Sequence, residues 1–309
     1  MAQTHTPQAA GQPPVLSPGP RAAAARGRAP AALMSVLPGG ARVYTHRRHG
    51  LAVHRQARVW VGDALADLEE ALSVALGVDH ANALAHSPWQ AGLRIAPVLP
   101  GHSPPPVCAD VRGLYSDRRA LLWLRTRSSL AHEVAHYLDQ TRPVESDQGG
   151  APVQSLGERA LWVEAMAATT VVRGRQAAHH VARQAPVGAQ RVAAAHRLRA
   201  YDALLAQLLG QGQLVASWEV FARAVDQYLA ESAAMAGRQP RCCRPVAEYA
   251  RLPEFWSGAA LQEFAPRIRA ALVARLEALA GAVVRTDPHG ACGERLPTHR
   301  RSGAPTEAA

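Results

Sequence analysis

The chemistry-bearing residues of this chain concentrate in Ser128-Ser129-Leu130-Ala131-His132-Glu133-Val134-Ala135-His136-Tyr137-Leu138-Asp139. On an α-helix, histidines at i and i+4 share one face a turn apart, so His132 and His136 can reach a single metal ion. Zn²⁺ suits such a pair and is the expected cofactor. Glu133 stands at the side of that site, where it can take a proton from a metal-bound water whose pKa zinc brings near neutrality. The pattern therefore points to zinc-dependent hydrolysis.

Two histidines leave a catalytic zinc site incomplete, because such sites take three protein ligands and a water. Asp139 is close in sequence but lies about 10 Å along the helix axis from His132, too far to converge with both imidazoles. It is expected to orient a ligand imidazole or brace a partner helix. The third ligand must come from another helix. Glu219 is the first candidate, early in an amphipathic helix with Arg223 one turn on, although an ordinary surface ion pair would look the same. Glu164, a carboxylate among Leu161, Trp162, Val163, Ala165 and Met166, is the alternative, since burial there would require a partner. His179, His180 and His196 are weaker candidates.

These side chains need a scaffold. Leu130, Val134, Tyr137 and Leu138 form an apolar stripe that predicts a helix, with Ser128 or Ser129 as its N-cap. Ala120–Leu124 predicts a buried strand just before it, a natural cleft wall for an extended peptide. Upstream, Asp63 is placed to cap a helix bearing Leu65, Leu68, Leu72 and Leu76, closed by Gly77. Leu93–Ala96 and Val107–Val111 predict short strands, and Tyr115–Arg118 a turn. Downstream the pattern is almost wholly helical: about 156–172, 189–209, 218–229 behind Ser217, and a last helix opened by Pro266 and closed by Gly281. Arg142-Pro143 and Gly149-Gly150 mark a loop. The fold class expected is α+β, predominantly α-helical, with a small sheet preceding the active-site helix.

Composition bounds the rest. A chain of 309 residues can bury one substantial core. Its net charge of +10 comes from arginine, since lysine is absent altogether; so complete a replacement reflects composition bias rather than phosphate recognition. The first acidic residue is Asp63, so the excess charge sits toward the N-terminus. Residues 1–41, rich in Ala, Pro and Arg, are expected to form a disordered leader, 42–283 the folded domain, and 284–309 a disordered tail. The basic arm could make weak nucleic-acid contact. Cys108, Cys242, Cys243 and Cys292 lack Cys-x-x-Cys spacing, and no apolar run approaches a membrane span, so a cytoplasmic protein is expected.

The block Ser129–Asp139 resembles the "SLAHEWGHALD" segment of the zincin-like large polyvalent protein-associated domains of bacterial mobile elements. Glu219–Tyr228 is similar to a second block of that family, "EMFARAFEAY", and Gly113-Leu114-Tyr115 falls in the matching order. Val134-Ala135 departs from the family's bulky-residue/Gly pair, and residues 142–213 match no motif. The regulator-cleaving metallopeptidases share the "LAHE-x-x-H" start. The first resemblance implies a zincin-like domain over 42–283 in which Glu219 completes a His₂Glu site of the gluzincin kind, with Arg223 orienting Glu219 or stabilising an oxyanion. The expected activity is peptide-bond hydrolysis of a protein or peptide substrate, with Glu133 as general base. The alternative is an inactive module on the same scaffold that binds nucleic acid or a partner protein.

Overall fold

In the stretch Arg42–His46, Val43 and Thr45 are buried while Arg42 is exposed, the alternation of a half-buried strand. The computed structural model describes residues 32–46, 49–77, 87–90, 92–98, 112–116, 120–140, 156–210 and 217–286. Its strands are β1 (Ala32–Val36), β2 (Arg42–His46), β3 (Arg94–Pro97), β4 (Gly113–Ser116) and β5 (Leu121–Leu124). They form one mixed sheet in the order β1-β2-β3-β5-β4, with β2, β3 and β5 parallel and both edge strands antiparallel to their neighbours. The longer helices are α1 (Gly50–Leu76), α2 (Leu130–Gln140), α3 (Leu156–Ala167), α4 (Thr170–Gln184), α5 (Ala189–Gly210), α6 (Ser217–Met235) and α7 (Gly258–Thr286). The architecture is thus mostly helical with a small sheet, as expected.

Helix α6 is the spine. Every residue from Val220 to Ala233 is buried, including the polar Arg223, Asp226, Gln227 and Glu231. A one-sided amphipathic helix was the expectation; burial on all faces replaces it, because α1, α2, α3 and α7 all pack on α6. Leu130, Val134, Ala135 and Leu138 of α2 share one core with Phe221, Val225 and Leu229 of α6 and with Leu68, Leu72 and Leu76 of α1. Ile268, Leu272, Leu276 and Leu279 complete it from α7.

Several expected boundaries move. The globular part begins no later than Ala32, inside the expected 1–41 leader. Its anchor is the buried His54 of α1, which bonds Thr45 Oγ1 of β2 and Ser35 Oγ of β1, each at 2.7 Å. Helix α1 starts thirteen residues before Asp63; its early core contacts are the small Ala57 and Ala64 with Val61, a weak apolar signal. Asp63 instead accepts from Arg127 Nη2 at 2.9 Å. Tyr115 and Ser116 belong to β4 rather than to a turn. The helix expected over 156–172 breaks at Ala168-Thr169, where the first amides of α4 donate to the carbonyls of Phe255 and Pro253 at 2.9 Å. Pro266 lies inside α7, with buried Ala260 and Leu261 before it and Ile268 after holding both sides helical. That helix runs to Thr286, past Gly281 and the expected 283 boundary. The strand expected over 107–111, the loop over 142–150 and most of the basic arm lie outside the described residues. Among the described residues no helix is long and apolar enough to cross a membrane.

Candidate metal centre

Helix α2 is fastened at its start from two sides. A 3₁₀ turn, Arg127–Ser129, leads into it, and Ser129 Oγ donates to the carbonyls of Arg112 (3.1 Å) and Thr126 (2.9 Å) rather than capping the helix amides as expected. Ser128 Oγ donates to Thr126 Oγ1. The orphan amide of Ala131 is met instead by the carbonyl of Cys242 at 3.1 Å. The Arg112 carbonyl also accepts from the amides of Arg125 and Thr126, so the entry to β4, the exit of β5 and the start of α2 are tied to one atom.

On this fixed helix the His132 and His136 rings stand perpendicular with centroids 4.7 Å apart, their Nε2 atoms separated by 3.1 Å. Glu219, in the first turn of α6, faces both: Oε2 is 3.7 Å from His132 Nε2 and Oε1 3.4 Å from His136 Nε2. Four tetrahedral ligands at the usual Zn–N and Zn–O lengths of about 2.0–2.2 Å place donor atoms roughly 3.3–3.6 Å apart. The observed separations of 3.1–3.7 Å, with each histidine facing a different Glu219 oxygen, scatter about that spacing, and these three residues form a group able to hold a metal ion. Its donor set, two imidazole nitrogens and a carboxylate, is one that Zn²⁺ prefers.

The electrostatics agree with metal ligation. Burial, reinforced by the neighbouring His136, lowers the His132 pKa to about 3, so its nitrogen is an unprotonated donor at neutral pH. Burial pushes Glu219 upward, but the His136 hydrogen bond and the charges of His132, His136 and Arg223 outweigh it and hold the carboxylate at about 2. Glu133 is only 5% exposed; burial raises it to about 7, assisted by the nearby Glu219 and opposed by His136 and the backbone N–H of Tyr115.

Arg223 lies behind the triangle, with Nε 3.8 Å from Glu219 Oε2 and Nη1 donating to the Glu254 carbonyl at 3.2 Å. It is 3% exposed, with its guanidinium held between the Glu219 carboxylate and the Glu254 carbonyl. Asp139 accepts from Arg275 Nη2 at 3.0 Å, and that guanidinium lies 3.9 Å over the Phe221 ring. Of the two roles expected for Asp139, the structure shows the bracing of a partner helix, α7. Glu164 is not part of the triangle; its side chain is 56% exposed and pairs with Arg267 of α7 at 2.6 Å, while Leu161, Trp162 and Ala165 are buried and Val163 is exposed beside it. His179, His180 and His196 are exposed on α4 and α5.

One group went unnoticed in the sequence. Arg244, in the loop after α6, donates its backbone N–H to Tyr249 Oη at 3.1 Å, and its Nε lies 3.8 Å from Oδ2 of the fully buried Asp226. Its side chain keeps 26% exposure, and its charge reaches His132. The adjacent Cys242 and Cys243, 3.7 Å apart at sulfur, are buried free thiols. The only sequence signal was Asp226, a carboxylate two turns beyond Glu219 on the same face.

Beside Glu133 runs β4, the edge of the sheet. The expected cleft wall was β5, but β5 is hydrogen-bonded on both sides, to β3 and β4. Tyr115 of β4 packs edge-to-face on Tyr137 of α2 at 5.8 Å. No family model, no curated protein and no solved structure matches the chain.

Proposed function

We propose that this protein is a zinc-dependent metallopeptidase with a zincin-like centre, in which His132, His136 and Glu219 hold the ion and Glu133 moves the proton. The carrying observation is the donor triangle with Glu133 buried against β4. Bound Zn²⁺ would supply Lewis acidity, polarising a carbonyl and acidifying a water.

The side chains do the rest. A carboxyl group held near pH 7 is matched to both halves of the proton relay: Glu133 accepts a proton from the attacking water and returns it to the departing amine. Among the described residues β4 is the outermost strand, and an extended peptide would add beside it, next to Glu133. Arg223, buried behind Glu219, orients that ligand. Arg244, partly exposed and paired with Asp226, is a candidate cation for the developing oxyanion, its charge adding to the electrostatics at His132. The resemblance of Ser129–Asp139 and Glu219–Tyr228 to the zincin-like polyvalent-protein domains supports the same reading.

Substituting Glu133→Gln tests it. Proteome-wide mapping of new peptide termini should show cleavage by the zinc-loaded wild type and none by E133Q, with zinc content equal. A wild type that generates no new termini speaks for a binding module instead.

A further inference from the structure

Two turns beyond the metal triangle, α6 carries a second polar feature. Gln227, Glu231 and Met235 lie on one face and, with Val246, Tyr249 and Trp256, line a cavity of about 460 Å³. That is the size range of small-molecule sites. Its mouth lies at the exposed Met235 and Val246.

Inside stands Glu231, 8% exposed. Its Oε1 accepts from Gln227 Nε2 at 2.7 Å. Gln227 is itself clamped, because the same nitrogen donates to the Trp256 carbonyl (2.8 Å) and its Oε1 accepts the Trp256 amide (3.2 Å). The carboxylate is therefore oriented by a fixed amide. Asp226 is buried and faces Arg244, and the partly buried Asp139 and Glu219 face Arg275 and Arg223, whereas the buried Glu231 is in no ion pair among the described residues. The start of α7 comes close: a Cβ on Gly258 would lie 3.6 Å from Glu231 Oε2. A helix N-terminus eases a negative charge but supplies no counter-ion. Burying a carboxylate without one is costly, and here the space next to it is open to solvent and walled by two aromatic residues.

We propose that this cavity binds an organic cation, a guanidinium or alkylammonium group on an aliphatic stem. Glu231 is its anionic partner, Tyr249 and Trp256 flank the charge, and Met235 and Val246 pack the stem. The inference is independent of the metal centre, and it applies equally to a free cation and to the side chain of a basic peptide.

Calorimetric titration of the full chain, with metal chelated throughout, tests it. The probes are n-butylguanidinium, the neutral isostere n-butylurea, and an arginine tripeptide blocked at both ends. Saturable binding of n-butylguanidinium at millimolar concentration is expected, with n-butylurea weaker by about tenfold or more. Glu231→Gln, which keeps an acceptor for Gln227, should lose a similar factor. Ala234→Trp, at an exposed position on the cavity wall, should abolish binding while leaving the carboxylate in place. A tripeptide that binds tighter than n-butylguanidinium assigns the site to peptide side chains, and equal affinities assign it to free cations. No saturable binding by wild type, or binding unchanged in A234W, overturns the proposal.

Discussion

Gly113 of β4 lies so close to Glu133 of α2 that a Cβ on it would stand 2.7 Å from Glu133 Oε1 and 2.7 Å from Ser129 Oγ. A glycine here is a matter of space rather than of backbone angle. Gly113→Ala must push either the edge strand or the Glu133 carboxylate, the proposed proton-transfer group, aside. Overpacking of this kind costs about 1–3 kcal/mol, and a displaced catalytic group roughly a hundredfold in rate. G113A should thus lose about 10–100-fold in kcat with zinc content intact. Undiminished kcat would show that β4 does not set the position of Glu133.

Arg223 is almost wholly buried, with its Nε 3.8 Å from Glu219 Oε2. Its replacement should act on the metal rather than on substrate. Arg223→Met is expected to weaken zinc affinity by about 10–100-fold, the usual effect of removing a group that orients a ligand. Competition against a chelating dye measures this. Wild-type affinity in R223M with a loss confined to turnover would move Arg223 to the oxyanion role.

Asp139 and Arg275 join α2 to α7 with little exposure, 10% and 6% of their side chains. Breaking such a pair strands a buried charge and costs about 3–5 kcal/mol. Arg275→Met should lower the urea midpoint accordingly while leaving the zinc stoichiometry at wild-type level. A loss of zinc with unchanged stability would instead make Asp139 part of the ligand shell.

Burial raises Asp226 to about 7, against the partial relief that Arg244 provides. A carboxyl group whose folded pKa is raised binds more protons when folded. Its contribution is therefore fully favourable below the unfolded pKa near 4 and is lost as pH climbs to 7. Asp226→Asn should flatten the fall in stability across pH 4–7, by at most about 1.4 kcal/mol per pH unit. Urea unfolding at several pH values reads the slope; parallel curves for wild type and D226N would contradict it.

The pieces of the site legible in the sequence are those set by local spacing. His132 and His136 had to share a helical face, and the rise per residue removed Asp139 from the ligand set. Choosing Glu219 over Glu164 was not settled by periodicity, since both lie on helices among apolar neighbours. The structure separates them because α6 is buried on every side while Glu164 turns to solvent toward Arg267. The same all-round burial hid Asp226, Gln227 and Glu231, which read as a polar outer face. Arg244 was invisible for a different reason: its position depends on where the loop after α6 returns, and nothing local encodes the contact between the Cys242 carbonyl and the Ala131 amide. In the fold, β1 was missed because its order rests on His54, nineteen residues beyond Ser35, rather than on its own composition.

The central claim is that His132, His136 and Glu219 bind one zinc ion. Zinc titration of metal-free wild type, E133Q and Glu219→Ala, with X-ray absorption at the zinc edge, tests it most directly. One zinc per chain is expected for wild type and E133Q, with two imidazoles plus oxygen at about 2.0–2.2 Å around the ion, and affinity reduced at least tenfold in E219A. Wild type without stoichiometric zinc, or E219A that retains wild-type affinity and the same first shell, would contradict it.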